Sequence, residues 1–152
     1  MGIIVDACVA SELVTSPLSA DAAPVLDFIQ YRGILAFGGR LLLELERNSR
    51  LQTLMQTLVA AGRALRYSDA SLAKLERQLR ASGQLKSNDG HILALALASG
   101  VRVVYTVDAL LSVDIKNKRL LDRPRGKVYK SARHASLLNR ARLAARVSDY
   151  AG

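Results

Sequence analysis

The chain has 152 residues, 50% of them hydrophobic, and carries 22 Lys and Arg against 13 Asp and Glu, a formal net charge of +9. That length and apolar content suit a single domain with a sizeable core, and the positive charge favours a polyanionic partner, nucleic acid first, over a neutral metabolite. One cysteine, Cys8, excludes an internal disulfide, and no apolar run approaches the roughly 20 residues that span a bilayer. The start Met1-Gly2-Ile3-Ile4-Val5-Asp6 enters a strand without a basic leader, so the expected location is cytoplasmic, with no membrane partner.

Ile3-Ile4-Val5 is short and wholly apolar, as befits a central parallel strand covered on both faces, and Asp6 ends it. A helical start around Val9 to Val14 follows. The segment Ser16-Pro17-Leu18-Ser19-Ala20-Asp21 then introduces a helix carrying Val25, Leu26, Phe28 and Ile29, which Gly33 ends. Ile34 to Phe37 predicts a second strand, Gly38-Gly39 a tight turn, and Arg40 onward a helix that holds Glu44 among leucines. Leu51, Leu54, Met55, Leu58 and Val59 fit the i, i+3, i+4, i+7, i+8 pattern of a core-facing helix to about Ala61.

Ala64 to Tyr67 predicts a short strand. Asp69 caps an amphipathic helix with Leu72, Leu75 and Leu79 inward, closed by Gly83. Ser87-Asn88-Asp89 opens an apolar helix that Gly100 ends, and a strand over 101–107 runs to Asp108. Alternating strands and helices imply α/β: a three-layer α/β/α sandwich around a central, mostly parallel sheet. Beyond Asp114 the pattern weakens to a turn at Pro124-Arg125-Gly126, a last edge strand over 127–130 and a final helix from Ser131 through Arg146. The expected division is a domain over 1–130 and a basic helical extension over 131–152 packed on or beside it.

Four acids fall where such a domain gathers residues: Asp6 and Asp108 at strand ends, Asp89 at a helix start, and Glu44 inside a leucine run. Converging carboxylates suit hard cations such as Mg²⁺ or Mn²⁺, whereas one Cys and two His supply no zinc spacing. There is no Walker A loop and no nucleophile elbow. Each acid also has an ordinary reading: Asp89 and Asp108 as helix caps, Asp6 as a turn residue, Glu44 as a solvent-facing acid. His91 reads as a first-turn helix residue rather than a ligand, His134 as a surface group, Cys8 as a small buried filler and Asp114 as a solvated loop acid or an auxiliary ligand.

Ile3-Ile4-Val5-Asp6-Ala7-Cys8-Val9, Glu44 within Leu43-Glu44-Leu45, Asp89 followed by Ile92, Ala94 and Ala96, and Thr106-Val107-Asp108 together resemble the PIN-domain nucleases over about residues 1 to 115. The resemblance implies an α/β/α sandwich and a metal-dependent endoribonuclease in which Asp6, Glu44, Asp89 and Asp108 are the catalytic, Mg²⁺- or Mn²⁺-binding acids. Thr106 or Cys8 would stand beside them, and Arg40 and Arg47 are candidate cationic neighbours. It further implies a homodimer, for which Leu138, Ala141 and Ala145 form a narrow stripe, and the toxin of a toxin–antitoxin pair with an antitoxin protein as partner. The tail after Lys116 is longer and more basic than that of small PIN toxins. It supplies Arg123, Arg125, Lys127, Lys130 and Arg133 as candidate RNA contacts, with Arg140, Arg142 and Arg146 beyond. RNA processing outside a toxin system, a noncatalytic RNA-binding module, and a nucleotide-binding α/β protein are the alternatives; the last would need a glycine-rich loop where Ala7-Cys8-Val9-Ala10-Ser11 stands.

Overall fold

The computed structural model describes residues 2–139. In chain order these form β1 (Gly2–Val5), α1 (Ala7–Ala10), a 3-10 turn (Ser11–Val14), α2 (Ala23–Tyr31), β2 (Ile34–Gly38), α3 (Gly39–Leu45), α4 (Ser49–Ala60), β3 (Ala64–Tyr67), α5 (Asp69–Ala81), α6 (Gly90–Ser99), β4 (Val103–Tyr105), α7 (Ala109–Lys116), β5 (Lys127–Tyr129) and a second 3-10 turn (Ala132–His134). The five strands make one sheet in the order β3-β2-β1-β4-β5, every pair parallel. Right-handed crossovers put α2 and α4 on one face as the chain winds from β1 to β3, and α5, α6 and α7 on the other as it winds back through β4 to β5. The fold is therefore an α/β/α sandwich.

The order reverses at β1, whose two neighbours β2 and β4 lead the chain away in opposite directions. In open parallel sheets the crevice outside the carboxyl ends of such diverging strands is where ligands bind. Val5 pairs with Tyr105, so Asp6 and Thr106 emerge side by side at that point.

Burial explains the central helix. Every residue of α6 from Gly90 to Ala96 is buried, as its all-round apolar sequence requires, and Gly100, with φ 77°, caps it in the left-handed region. Gly126 is demanded by closeness: a Cβ there would lie 2.1 Å from the Ile115 carbonyl oxygen, so only glycine lets the chain pass α7 into β5.

Several elements depart from the expected ones. The strand over 101–107 is paired only over Val103–Tyr105. Ser68 caps α5 by accepting from the Ser71 amide, with Asp69 already in the first turn. In α4, Leu51, Met55 and Leu58 face the core, whereas Val59 is 49% exposed because one helical step past the buried Leu58 turns it about 100° away from the sheet. Residues 131–139 fold back onto the body. Leu138 is 1% exposed, the Ala132 amide donates to Asp21 Oδ1 at 2.9 Å, and Arg32 Nη1 donates to Asn139 Oδ1 at 2.9 Å. Leu138 is thus consumed by the protein's own core rather than offered to a second copy. The helix expected from Ser131 begins instead as the 3-10 turn and becomes α-helical over 136–139, and the rest of it, with Arg140, Ala141, Arg142, Ala145 and Arg146, lies outside the described residues.

Candidate active site

Asp6 occupies the N-cap position of α1, yet its side chain makes no capping bond. It is 6% exposed, and Oδ2 instead accepts from Thr106 Oγ1 at 2.7 Å and from Cys8 Sγ at 3.1 Å. Thr106 Oγ1 in turn accepts from the Asp108 amide at 3.1 Å. One hydroxyl therefore ties the acid after β1 to the turn after β4. Cys8 is exposed rather than buried, because α1 is only one turn long and its second residue faces out. Burial of its sulfur and the neighbouring Asp6 carboxylate are among the causes that hold its thiol pKa above the ordinary value, so it is a hydrogen-bond donor and not a thiolate.

Asp89 stands at the N-cap position of α6 and likewise makes no side-chain capping bond. Its amide donates to Ser87 Oγ at 3.2 Å, and among the described residues no hydrogen bond reaches its carboxylate. Its pKa is raised, first by burial and then by the charges of Asp6 and Asp108. Glu44 is half-buried on α3, and its pKa is also raised, by burial first, with Arg40 opposing and Asp6 and Asp89 adding to the rise. Each of these acids thus senses others of the group through space. Asp108 differs: it is exposed and does cap its helix, accepting from the Leu111 amide at 2.8 Å through Oδ1. Among the described residues no three His, Cys, Asp or Glu side chains stand close enough to enclose an ion by themselves. The donors are all carboxylate oxygens, and a hard cation among them would complete its shell with water, as Mg²⁺ commonly does.

Behind Glu44 lies a cluster that sequence reasoning missed. His91 is 6% exposed, and its Nδ1 lies 2.9 Å from Arg40 Nη2. The same Arg40 nitrogen donates to the Asn88 carbonyl at 2.7 Å, next to Asp89, and Arg80 donates to that carbonyl at 3.2 Å. His91 Nε2 approaches Glu44 Oε2 at 3.6 Å. This is not an ion pair: burial, then the charges of Arg40 and Arg80, pull the imidazole's pKa down to about 4, so the ring is neutral at pH 7. His91 is therefore more than a first-turn helix residue. The available signal was a lone histidine two positions after Asp89 on a helix apolar all round, where any polar ring needs partners.

Asp114 also departs from expectation. It lies within α7, fully buried, and its carboxylate accepts from the Lys86 amide at 2.8 Å, the Ser87 amide at 2.9 Å and Ser87 Oγ at 2.7 Å. It is a buried helix acid rather than a solvated loop acid. Its work is to fix the backbone that leads to Asp89.

The five candidate RNA contacts divide between two edges of the sheet. Lys127 pairs with Val103, the first residue of β4, so Arg123, Arg125 and Lys127 sit at the amino edge, away from the acids. Arg125 also spends Nη2 on the Lys116 carbonyl at 2.7 Å, at the end of α7. Tyr129 pairs with Tyr105, which places the exposed Lys130 and Arg133 after the carboxyl edge, where Asp6 and Asp108 emerge. A cavity of about 510 Å³ between α3 and α5 shares Arg40 and His91 with this region but includes none of the four acids.

No protein-family model matches the chain, and no curated protein matches it. Among the described residues no helix is long and apolar enough to cross a membrane.

Proposed function

We propose that the protein is a divalent-cation-dependent endoribonuclease of the PIN type, with Asp6, Glu44, Asp89 and Asp108 as its cation-binding acids. The observation that carries this reading is that Asp6 and Asp89 both occupy helix-start positions and neither caps its helix. Asp6 takes Thr106 and Cys8 as donors instead, and for Asp89 a carboxylate that forgoes the amides beside it, half-buried among like charges, is unfavourable unless a cation completes the group. The location agrees, since Asp6 and Asp108 follow β1 and β4 at the reversal point of a parallel sheet and the charge of Asp6 adds to the raised pKa values of Glu44 and Asp89.

A cation bound there would supply Lewis acidity and a water of lowered pKa for phosphodiester hydrolysis. Thr106 and Cys8 would hold Asp6 Oδ2, leaving Oδ1 to face the cation. Asp108 would keep one oxygen on its helix cap and present the other. Arg40, beside Glu44, would limit the repulsion of the acids before a cation arrives. Lys130 and Arg133 would contact phosphates without reading sequence, so RNA shape or single-stranded loops would set the target. The biological setting that follows from the PIN resemblance is the toxin of a toxin–antitoxin pair, with a homodimer and an antitoxin as partners; RNA processing is the alternative setting.

Cleavage of a structured RNA with and without Mn²⁺ tests the reading. Asp6→Asn and Asp89→Asn are expected to abolish cleavage while the remote Asp27→Asn retains it. Mn²⁺ at 100 times its dissociation constant should stabilise the wild type by about 2.7 kcal/mol and the two Asn variants far less, because a ligand stabilises only the state that binds it. RNA bound but uncut, with no Mn²⁺-dependent shift in melting, would replace the nuclease by a noncatalytic RNA-binding module.

A further inference from the structure

The contacts of His91 carry one step further, and that step rests on the metal-site reading above. A guanidinium has donors only, so Arg40 Nη2 at 2.9 Å from Nδ1 means that Nδ1 accepts. In a neutral imidazole the proton then sits on Nε2. That nitrogen is buried and among the described residues has no hydrogen-bond partner, and the acceptor in front of it is Glu44 Oε2 at 3.6 Å. Turning the ring over would set carbons against both Arg40 and Glu44, so the orientation is the one with polar atoms facing polar atoms. A buried N–H donor left unmade is costly, while Glu44, on a short helix with its side chain 30% exposed, has room to move.

We propose that His91 is the positioning residue for Glu44: its Nε2–H closes onto Oε2 and orients that carboxylate toward a cation shared with Asp6 and Asp89. Arg40 sets the tautomer. The same guanidinium holds the Asn88 carbonyl at 2.7 Å and stands 3.9 Å from Glu44 Oε1. A single cationic group thus fixes the backbone before Asp89, the ring after it and the acid across from it. This is the carboxylate counterpart of the outer hydrogen bonds that orient ligands at metal sites, whose loss typically weakens metal binding by about 10–100-fold.

The test uses the full chain with Mn²⁺ as the probe and two readouts. Side-chain nitrogen spectra of the metal-free wild type should show His91 with Nδ1 bare and Nε2 protonated; a proton on Nδ1 overturns the proposal. Arg40→Met should release the ring to a mixture of tautomers, and an unchanged spectrum overturns the role of Arg40. Mn²⁺ titrations followed by electron paramagnetic resonance should give roughly 10-fold weaker binding for His91→Leu, whereas His91→Gln, whose amide keeps a donor near Nε2, should stay within about threefold of wild type. His91→Leu binding as tightly as wild type overturns the positioning role alone. A wild type that binds no Mn²⁺ overturns the metal reading and this proposal with it. If His91→Leu does not fold, the Gln and Arg40→Met comparisons decide.

Discussion

Replacing Asp114 by Asn keeps the shape of a fully buried side chain and removes its charge. The carboxylate accepts three hydrogen bonds of 2.7 to 2.9 Å, two from the Lys86 and Ser87 amides, which can only donate, and one from the Ser87 hydroxyl. An amide has one oxygen. If that oxygen faces the two Ser87 donors, the NH₂ confronts the Lys86 amide; in the reverse orientation it confronts the Ser87 amide while the Ser87 hydroxyl turns to accept from it, so either way one buried amide loses its acceptor. Losing one charge-assisted bond, weakening two others and leaving a buried donor unpaired should cost about 2–4 kcal/mol. At this chain length that corresponds to a melting temperature lower by roughly 5–12 °C. The damage should be local as well as global: Ser87 Oγ holds the Asp89 amide, so hydrogen exchange at Lys86, Ser87 and Asp89 should accelerate before the rest of the sheet. Urea denaturation and amide exchange would measure both. A variant within about 0.5 kcal/mol of wild type, with unchanged exchange at Ser87, would refute the argument that Asp114 fixes this segment.

Acid should weaken the fold through His91. The folded ring titrates near 4 and the unfolded ring near 6.5, so the unfolded state takes up the proton first; this contribution is fully present above pH 6.5 and is lost as pH falls toward 4, about 3 kcal/mol in all. The raised pKa values of Glu44 and Asp89 act in the opposite sense, since the folded state then takes up protons first as pH falls into the carboxylate range. Denaturation at pH 7 and pH 5 should show the loss in wild type and not in His91→Gln; parallel losses in both would remove His91 as the cause. For RNA, Lys130→Ala with Arg133→Ala should weaken binding and reduce the slope of log affinity against log salt by about 0.7 per lost contact on single strands. Arg123→Ala with Lys127→Ala, at the opposite edge, should leave that slope unchanged, and fluorescence anisotropy at several salt concentrations would detect the contrary.

Strands and helices were legible where one residue type repeats on a simple period. The apolar run Ile3-Ile4-Val5 announced a central strand, and strand-helix alternation announced the parallel sheet. From there, Asp6 and Thr106 meeting at one edge follows almost without coordinates, because parallel strands that pair in register end together. Caps were legible only as positions. Asp6, Asp89 and Asp108 all precede helices, and the ordinary readings of the sequence make Asp6 a turn residue and the other two caps. The backbone decides between them: Asp108 takes the amide offered to it, and the other two do not.

The features that escaped are couplings between residues distant in the chain. Arg40 and His91 are 51 positions apart, and Asp114 and Ser87 are 27 apart. No local pattern signals such a pair, because a buried polar group announces only that a partner must exist and not which residue supplies it. Charge has the same weakness. The run from Lys116 onward reads as one basic stripe, but a parallel strand carries its two ends to opposite edges of the sheet, and β5 divides the stripe. The two errors have a common root: sequence gives the chemistry of each group, and only the register of the strands says which groups share an edge. Lys130 and Arg133 share the carboxyl edge with Asp6 and Asp108 because Tyr129 pairs with Tyr105, so under the proposed function the pairing of two tyrosines decides which cations an RNA phosphate at that edge would meet.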